Sequence, residues 1–143
     1  MKLNRILETT LDATNLDEME AFYTRLLSRE PYQKEPGRFV FYKLEEAMFL
    51  LFNPEATVQP PAAGARLPVP PHGTSGAGHL CFSGTGDEIE CWKAHLEDNG
   101  VAVEADFNWP SSKPDEPTGG RSIYFRDPAG NSLEIAEPRI WGL

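Results

Sequence analysis

The 143-residue chain is short of cations, of cysteine and of long apolar runs. Thirteen Lys and Arg stand against twenty-two Asp and Glu, a formal net charge of −9, with the acids spread along the chain. Nucleic acid and anionic membrane both demand a basic footprint, so neither is an expected partner. No apolar stretch approaches the roughly 18–20 residues of a membrane span. The opening "MKLNRILETT" carries charge but no long apolar core before a small-residue cleavage site, so no signal peptide is expected. The two cysteines, Cys81 and Cys91, fall inside a predicted strand and a predicted helix, and are expected as reduced thiols. These absences together predict a cytoplasmic protein. The length suits one domain with a real core.

What the chain does have is a pattern written twice. "ILETTLDATNLDEMEAFYTRLL" (6–27) reads as a strand running into a capped helix, and "GHLCFSGTGDEIECWKAHLEDNG" (78–100) reads the same way. The caps are Asn15 and Thr85, each followed three residues later by a glutamate, Glu18 and Glu88, as in a capping box. The polar strand residues Glu8 and His79 occupy equivalent points. Such periodicity implies two similar halves. In the first half, strand 3–13 alternates Leu7, Leu11 and Ala13 against Glu8, Thr10 and Asp12. Its helix buries Leu16, Met19, Phe22, Tyr23, Leu26 and Leu27 and is expected to end at Pro31. A short strand near 31–35 and a hairpin of 37–44 and 47–53, turning at Glu45–Glu46, complete module one, 3–53.

A Pro-rich connector, 54–77, shows no usable period and is expected to be extended. Module two, 78–138, repeats the order: strand 78–83, a helix with Ile89, Trp92 and Leu96 inward, strand 101–107, a Trp-Pro loop 108–118, and strands 119–127 and 132–138 about the turn "DPAGN". The fold class predicted is α+β: two βαβββ modules forming a curved mixed sheet with helices outside.

Alternation assigns faces. His79, Cys81 and Ser83 point away from the helix side, as do Ser132, Glu134 and Ala136, and Glu8 on the first strand. Three strands thus each send one potential ligand to the concave side. Two carboxylates and an imidazole would neutralise a divalent ion and leave positions for substrate or water. Singly, each has a plainer explanation: Glu8 pairing with Arg5, His79 as a hydrogen-bonded core residue, Glu134 pairing with Arg126 or Arg139. Asp127 is explained by its turn, and His72 and His95 by connector and helix surface.

The paired halves, "GHLCF" opening the second and "YFRDPAGNSLEI" near its end resemble the vicinal oxygen chelate superfamily over residues 3–138. That group includes glyoxalase I, bleomycin-resistance proteins and extradiol dioxygenases. The resemblance implies a divalent metal (Zn, Ni, Mn, Fe or Co) held by Glu8, His79 and Glu134, with Glu8 or Glu134 as proton carrier. It also implies a homodimer whose clefts mix subunits, and a small-molecule substrate. The cavity wall implied is Arg38, Tyr42, Phe52, Trp109, Ser122, Tyr124 and Arg126. Trp109 and Tyr124 would meet a planar or apolar portion, and Arg121 or Arg126 an anion. Glu8 departs from the usual first-strand His or Gln. Aligning "FLLFNP" (49–54) with "LEIAEP" (133–138) puts Leu50 opposite Glu134, so a fourth carboxylate is missing. That counts against lactoylglutathione lyase itself. The reading is a metal-dependent lyase, isomerase or group-transfer enzyme; the rival is a non-catalytic protein that sequesters a drug or metabolite.

Overall fold

The computed structural model of the chain describes residues 5–67, 69–111, 113 and 115–143. It divides into two compact units, Met1–Gly76 and Ala77–Leu143, each holding a four-stranded mixed sheet. In the first unit the chain runs β1 (Glu8–Asp12), α1 (Leu16–Leu27), β2 (Gln33–Glu35), β3 (Phe39–Lys43), β4 (Met48–Phe52) and a single helical turn, α2 (Pro54–Thr57). In the second it runs β5 (His79–Ser83), α3 (Gly86–Asp98), β6 (Ala105–Trp109), β7 (Gly120–Arg126), β8 (Ser132–Ala136) and a terminal 3₁₀ turn, Pro138–Trp141. The sheet orders are β1-β4-β3-β2 and β5-β8-β7-β6, with β1–β4 and β5–β8 parallel and the other pairs antiparallel.

The helices form where apolar residues recur at helical spacing. Leu16, Met19, Phe22, Tyr23 and Leu26 bury the inner stripe of α1 against Val40, Tyr42, Phe49 and Leu51. Leu27 is only half-buried. The helix stops before Pro31, at Ser28, which takes a left-handed conformation and closes the end through its own N–H. Asn15 caps α1 differently from expectation: its side-chain amide donates to Glu18 at 2.7 Å instead of accepting from the backbone. In α3 the full capping box forms, Glu88 N–H to Thr85 Oγ1 at 3.3 Å and Thr85 N–H to the Glu88 carboxylate at 2.7 Å. Gly100, at φ +70°, carries the chain out of that helix.

Several boundaries differ from the sequence reading. The first strand begins at Glu8; Leu7 precedes it and is exposed, and residues 3 and 4 lie outside the described residues. Strand β6 runs to Trp109, which pairs with Gly120, because the residue that ends the ladder is Pro110, with no N–H to donate. The connector is not wholly extended. Asn53 accepts from Glu55 N–H at 3.0 Å and Pro54 opens the turn α2. Farther on, Thr74 gives its N–H (2.9 Å) and hydroxyl (2.8 Å) to Asp12, and His72 sets its ring edge-on to Phe52. The connector's end is therefore tied down across the sheet of the first unit.

The turn before β8 is built from side chains. Asp127 Oδ1 accepts from the N–H groups of Ala129 and Asn131, and the Asn131 amide donates to Asp127 Oδ2 at 2.8 Å. Asn131 Oδ1 accepts in turn from Gly78 N–H at 2.7 Å, so this turn also sets the start of β5.

Candidate metal centre

Each sheet has one face on its helix and one open face. In the second unit Leu80, Phe82, Ile123, Phe125, Leu133 and Ile135 alternate toward α3. The open face follows from register: Cys81 stands opposite Glu134, Glu134 opposite Tyr124, and Tyr124 opposite Ala105. His79 lies one step along, opposite Ser132. In the first unit the same places are held by Thr10, Leu50 and Phe41, with Glu8 opposite Met48. The half-to-half alignment that sets Glu8 with His79 and Leu50 with Glu134 is thus the register of the two sheets.

Glu134 is only 5% exposed. Its Oε1 is buried without a hydrogen-bond partner, and its Oε2 lies 3.3 Å from His79 Nε2. His79 Nδ1 sits 3.1 Å from the carbonyl of Ser132. A carbonyl only accepts, so Nδ1 must be the donor and, in the neutral ring, Nε2 presents its lone pair. That lone pair then faces a carboxylate oxygen, an arrangement that favours a shared cation. Metal-bound histidines are commonly oriented by such a hydrogen bond from the other ring nitrogen. The orphaned oxygen, the oriented imidazole and the nitrogen–oxygen donor set all fit a divalent ion. Among the described residues no three His, Cys, Asp or Glu side chains are gathered as a ready-made cage; His79 and Glu134 are a pair.

The neighbours of Glu134 respond to it. Burial, and then the adjacent carboxylate, push the Cys81 thiol up to about 12. Burial and the same carboxylate push the Tyr124 phenol up to about 12 as well. Both groups therefore stay protonated at neutral pH, and Cys81 is no nucleophile.

The remaining predicted residues divide. Glu8 is exposed on β1. Phe52 packs with Phe39 and Phe41 on the open face of the first sheet, and Arg38 is exposed in the turn before β3. Trp109 and Tyr124 lie on the open face of the second sheet, where Trp109 Nε1 donates to Ser122 Oγ at 2.9 Å. Arg126 shares that face but is held by Glu104 and the Gly130 carbonyl. Two residues point elsewhere. Arg121 alternates with Ile123 on the helix side, where Asp106 takes it in two hydrogen bonds of 2.7 Å and Glu90 takes a third. Tyr42 alternates with Val40 into the core, its hydroxyl beside Thr24 Oγ1 and donating to the Glu20 carbonyl. Phe107, missed in the sequence, joins the open face; the spacing of Phe107 and Trp109 two apart was the available signal.

A model of the Glyoxalase/Bleomycin resistance protein/Dioxygenase superfamily matches residues 5–135. A crystal structure of a lactoylglutathione lyase from Agrobacterium tumefaciens is 39% identical, with a TM-score of 0.87 and all of both chains covered. An integron cassette protein from the Halifax Harbour sewage outfall (24% identity, TM-score 0.69, 94% and 99% of the chains) shares the fold. So does a glyoxalase/bleomycin resistance protein/dioxygenase from Nocardioides (18%, 0.68, 96% and 85%). No curated protein is matched. The chain belongs to the glyoxalase/bleomycin resistance protein/dioxygenase superfamily. No helix among the described residues is long and apolar enough to cross a membrane.

Proposed function

We propose that the chain is a divalent-metal-dependent enzyme acting on a small substrate with two adjacent oxygens, by lyase, isomerase or group-transfer chemistry. The observation that supports this most is the buried Glu134 carboxylate, with one oxygen unpartnered and the other facing the lone pair of His79. His79 and Glu134 are the proposed ligands, with Glu8 as the third. A bound divalent ion would supply Lewis acidity, stabilising negative charge that develops on a substrate oxygen.

The chain's own residues would do the rest. The Ser132 carbonyl holds the imidazole in its ligating tautomer. Glu134 Oε1, free of hydrogen bonds, is the oxygen available to take a substrate proton. Tyr124 and Cys81 stand opposite it on the two neighbouring strands. The similar lactoylglutathione lyase favours isomerase or lyase chemistry. Leu50, standing in the first sheet where Glu134 stands in the second, leaves the proposed ion without a fourth carboxylate.

Calorimetric titration of Zn, Ni, Mn and Co into ion-stripped protein tests the proposal. Saturable uptake by the wild type is expected, weakened at least about tenfold by His79→Ala and by Glu134→Gln. A wild type that takes up none of these ions, or variants that bind them as well as the wild type does, would overturn it.

A further inference from the structure

On the open face of the second sheet four rings form a row that starts at the proposed metal pair. The His79 ring is stacked 6.3 Å from Tyr124, Tyr124 lies 5.8 Å from Phe107 at only 6° between planes, and Phe107 meets Trp109 edge-on at 5.1 Å. The row is built. Tyr124 is fixed beside Glu134 by strand register, and Trp109 is tethered through its indole N–H to Ser122, itself fully buried. Yet Phe107 and Trp109 remain 40% and 38% exposed on the edge strand β6. Aromatic surface left in water at a sheet edge is unfavourable unless something covers it.

Charge says what kind of group that is. Each of the unit's five described cations, Lys93, Lys113, Arg121, Arg126 and Arg139, is already paired with an acid. No cation in this unit waits for a distant carboxylate or phosphate of a substrate. Flat rings, by contrast, are met well by other flat rings, in offset or edge-on contact. We infer that Tyr124, Phe107 and Trp109 form a shelf for the substrate, and that Phe107 selects substrates bearing an uncharged, flat aromatic group beside the two oxygens. The inference rests on the metal-dependent reading above and adds the substrate class.

Acetohydroxamate and 2-naphthohydroxamate present the same adjacent oxygens and differ in the attached group. Their affinities for metal-loaded protein are to be measured for the wild type, Phe107→Val and Phe107→Tyr. The wild type is expected to prefer the naphthyl probe by about tenfold or more, as a few good ring contacts provide. Phe107→Val should lose most of that preference with acetohydroxamate unaffected, and Phe107→Tyr should keep it. Should Phe107→Val fail to fold, Phe107→Leu gives the same comparison. The shelf is overturned if the wild type shows no preference, or if the Val variant keeps it or weakens both probes alike. It is also overturned if that variant changes only the association state in sedimentation, since the row would then be covered by a second copy. Titration of the metal alone separates the two failures. Uptake of the ion without naphthyl preference removes the shelf alone, whereas no uptake removes the metal reading as well.

Discussion

Replacing Glu134 by Gln should stabilise the ion-free protein and destabilise it relative to wild type once metal is added. The carboxylate is 5% exposed and its Oε1 has no partner. Leaving a buried polar group unsatisfied costs about 1–3 kcal/mol, and more when it is charged. The contact of Oε2 with His79 offsets none of this, because the ring nitrogen that faces the oxygen presents a lone pair and has no proton to donate. A neutral amide of the same shape sheds most of the penalty, so the ion-free variant should gain about 1–2 kcal/mol. For a chain of this size that is a rise in Tm of roughly 3–8 °C. With metal at a hundred times its Kd, wild type gains about 2.7 kcal/mol by linkage, and the variant, lacking an anionic ligand, gains far less. The order of the two melting curves should therefore invert between chelator and saturating Ni or Zn. Thermal unfolding followed by circular dichroism reads both conditions. A Gln variant that melts below wild type in chelator, or equal metal-induced shifts in both proteins, would refute the reasoning.

Three further outcomes are expected. Thr85→Ala should cost about 1 kcal/mol in denaturant titration by breaking the capping box of α3, with Thr85→Ser close to wild type. Asp106 is held well below the usual carboxylate range, chiefly by its hydrogen bonds from Arg121, so its contribution is complete above the unfolded value near 3.8 and fades as pH falls below that. Asp106→Asn should accordingly lower stability at pH 7 and flatten its decline below about pH 4, measured by urea titration across pH. Thr74→Val removes the hydroxyl bond to Asp12 and should raise amide exchange over residues 72–76 without changing exchange in β7 or β8; unchanged exchange at 72–76 would show that the N–H bond alone suffices.

Local chemistry was legible wherever one short window held all the partners. Thr85 with Glu88, the Asp127–Asn131 turn and the apolar stripe of α1 needed nothing distant. Strand faces were legible from period-two alternation, and it is this that sets Leu50 and Glu134 at equivalent register. The same rule, applied to Arg121 beside Ile123 and to Tyr42 beside Val40, assigns both to the helix side, away from the wall implied by resemblance. Strand β6 was displaced because an edge strand with acidic and amide residues, Asp106 and Asn108, on its helix side carries a weak apolar signal, and its end depends on pairing with Gly120. The turn α2 and the Thr74 tie were hidden for a different reason. Six prolines between residues 53 and 77 erase periodicity, and Asp12, which receives Thr74, lies sixty-two residues away.

Matching registers make the difference between the halves informative. Both sheets place three residues at the same open-face positions: Thr10, Leu50 and Phe41 in one, Cys81, Glu134 and Tyr124 in the other. A buried carboxylate is tolerated only where a cation or hydrogen bonds compensate it, whereas a buried leucine is stable without help. The first sheet has taken the apolar solution at the central position, packing Phe39, Phe41 and Phe52 around it and drawing His72 onto Phe52. The second has kept the charged one and oriented a histidine toward it. Symmetry of the backbone therefore sets where a ligand can stand. Divergence at one position per half, Leu50 against Glu134, decides which half carries the central carboxylate.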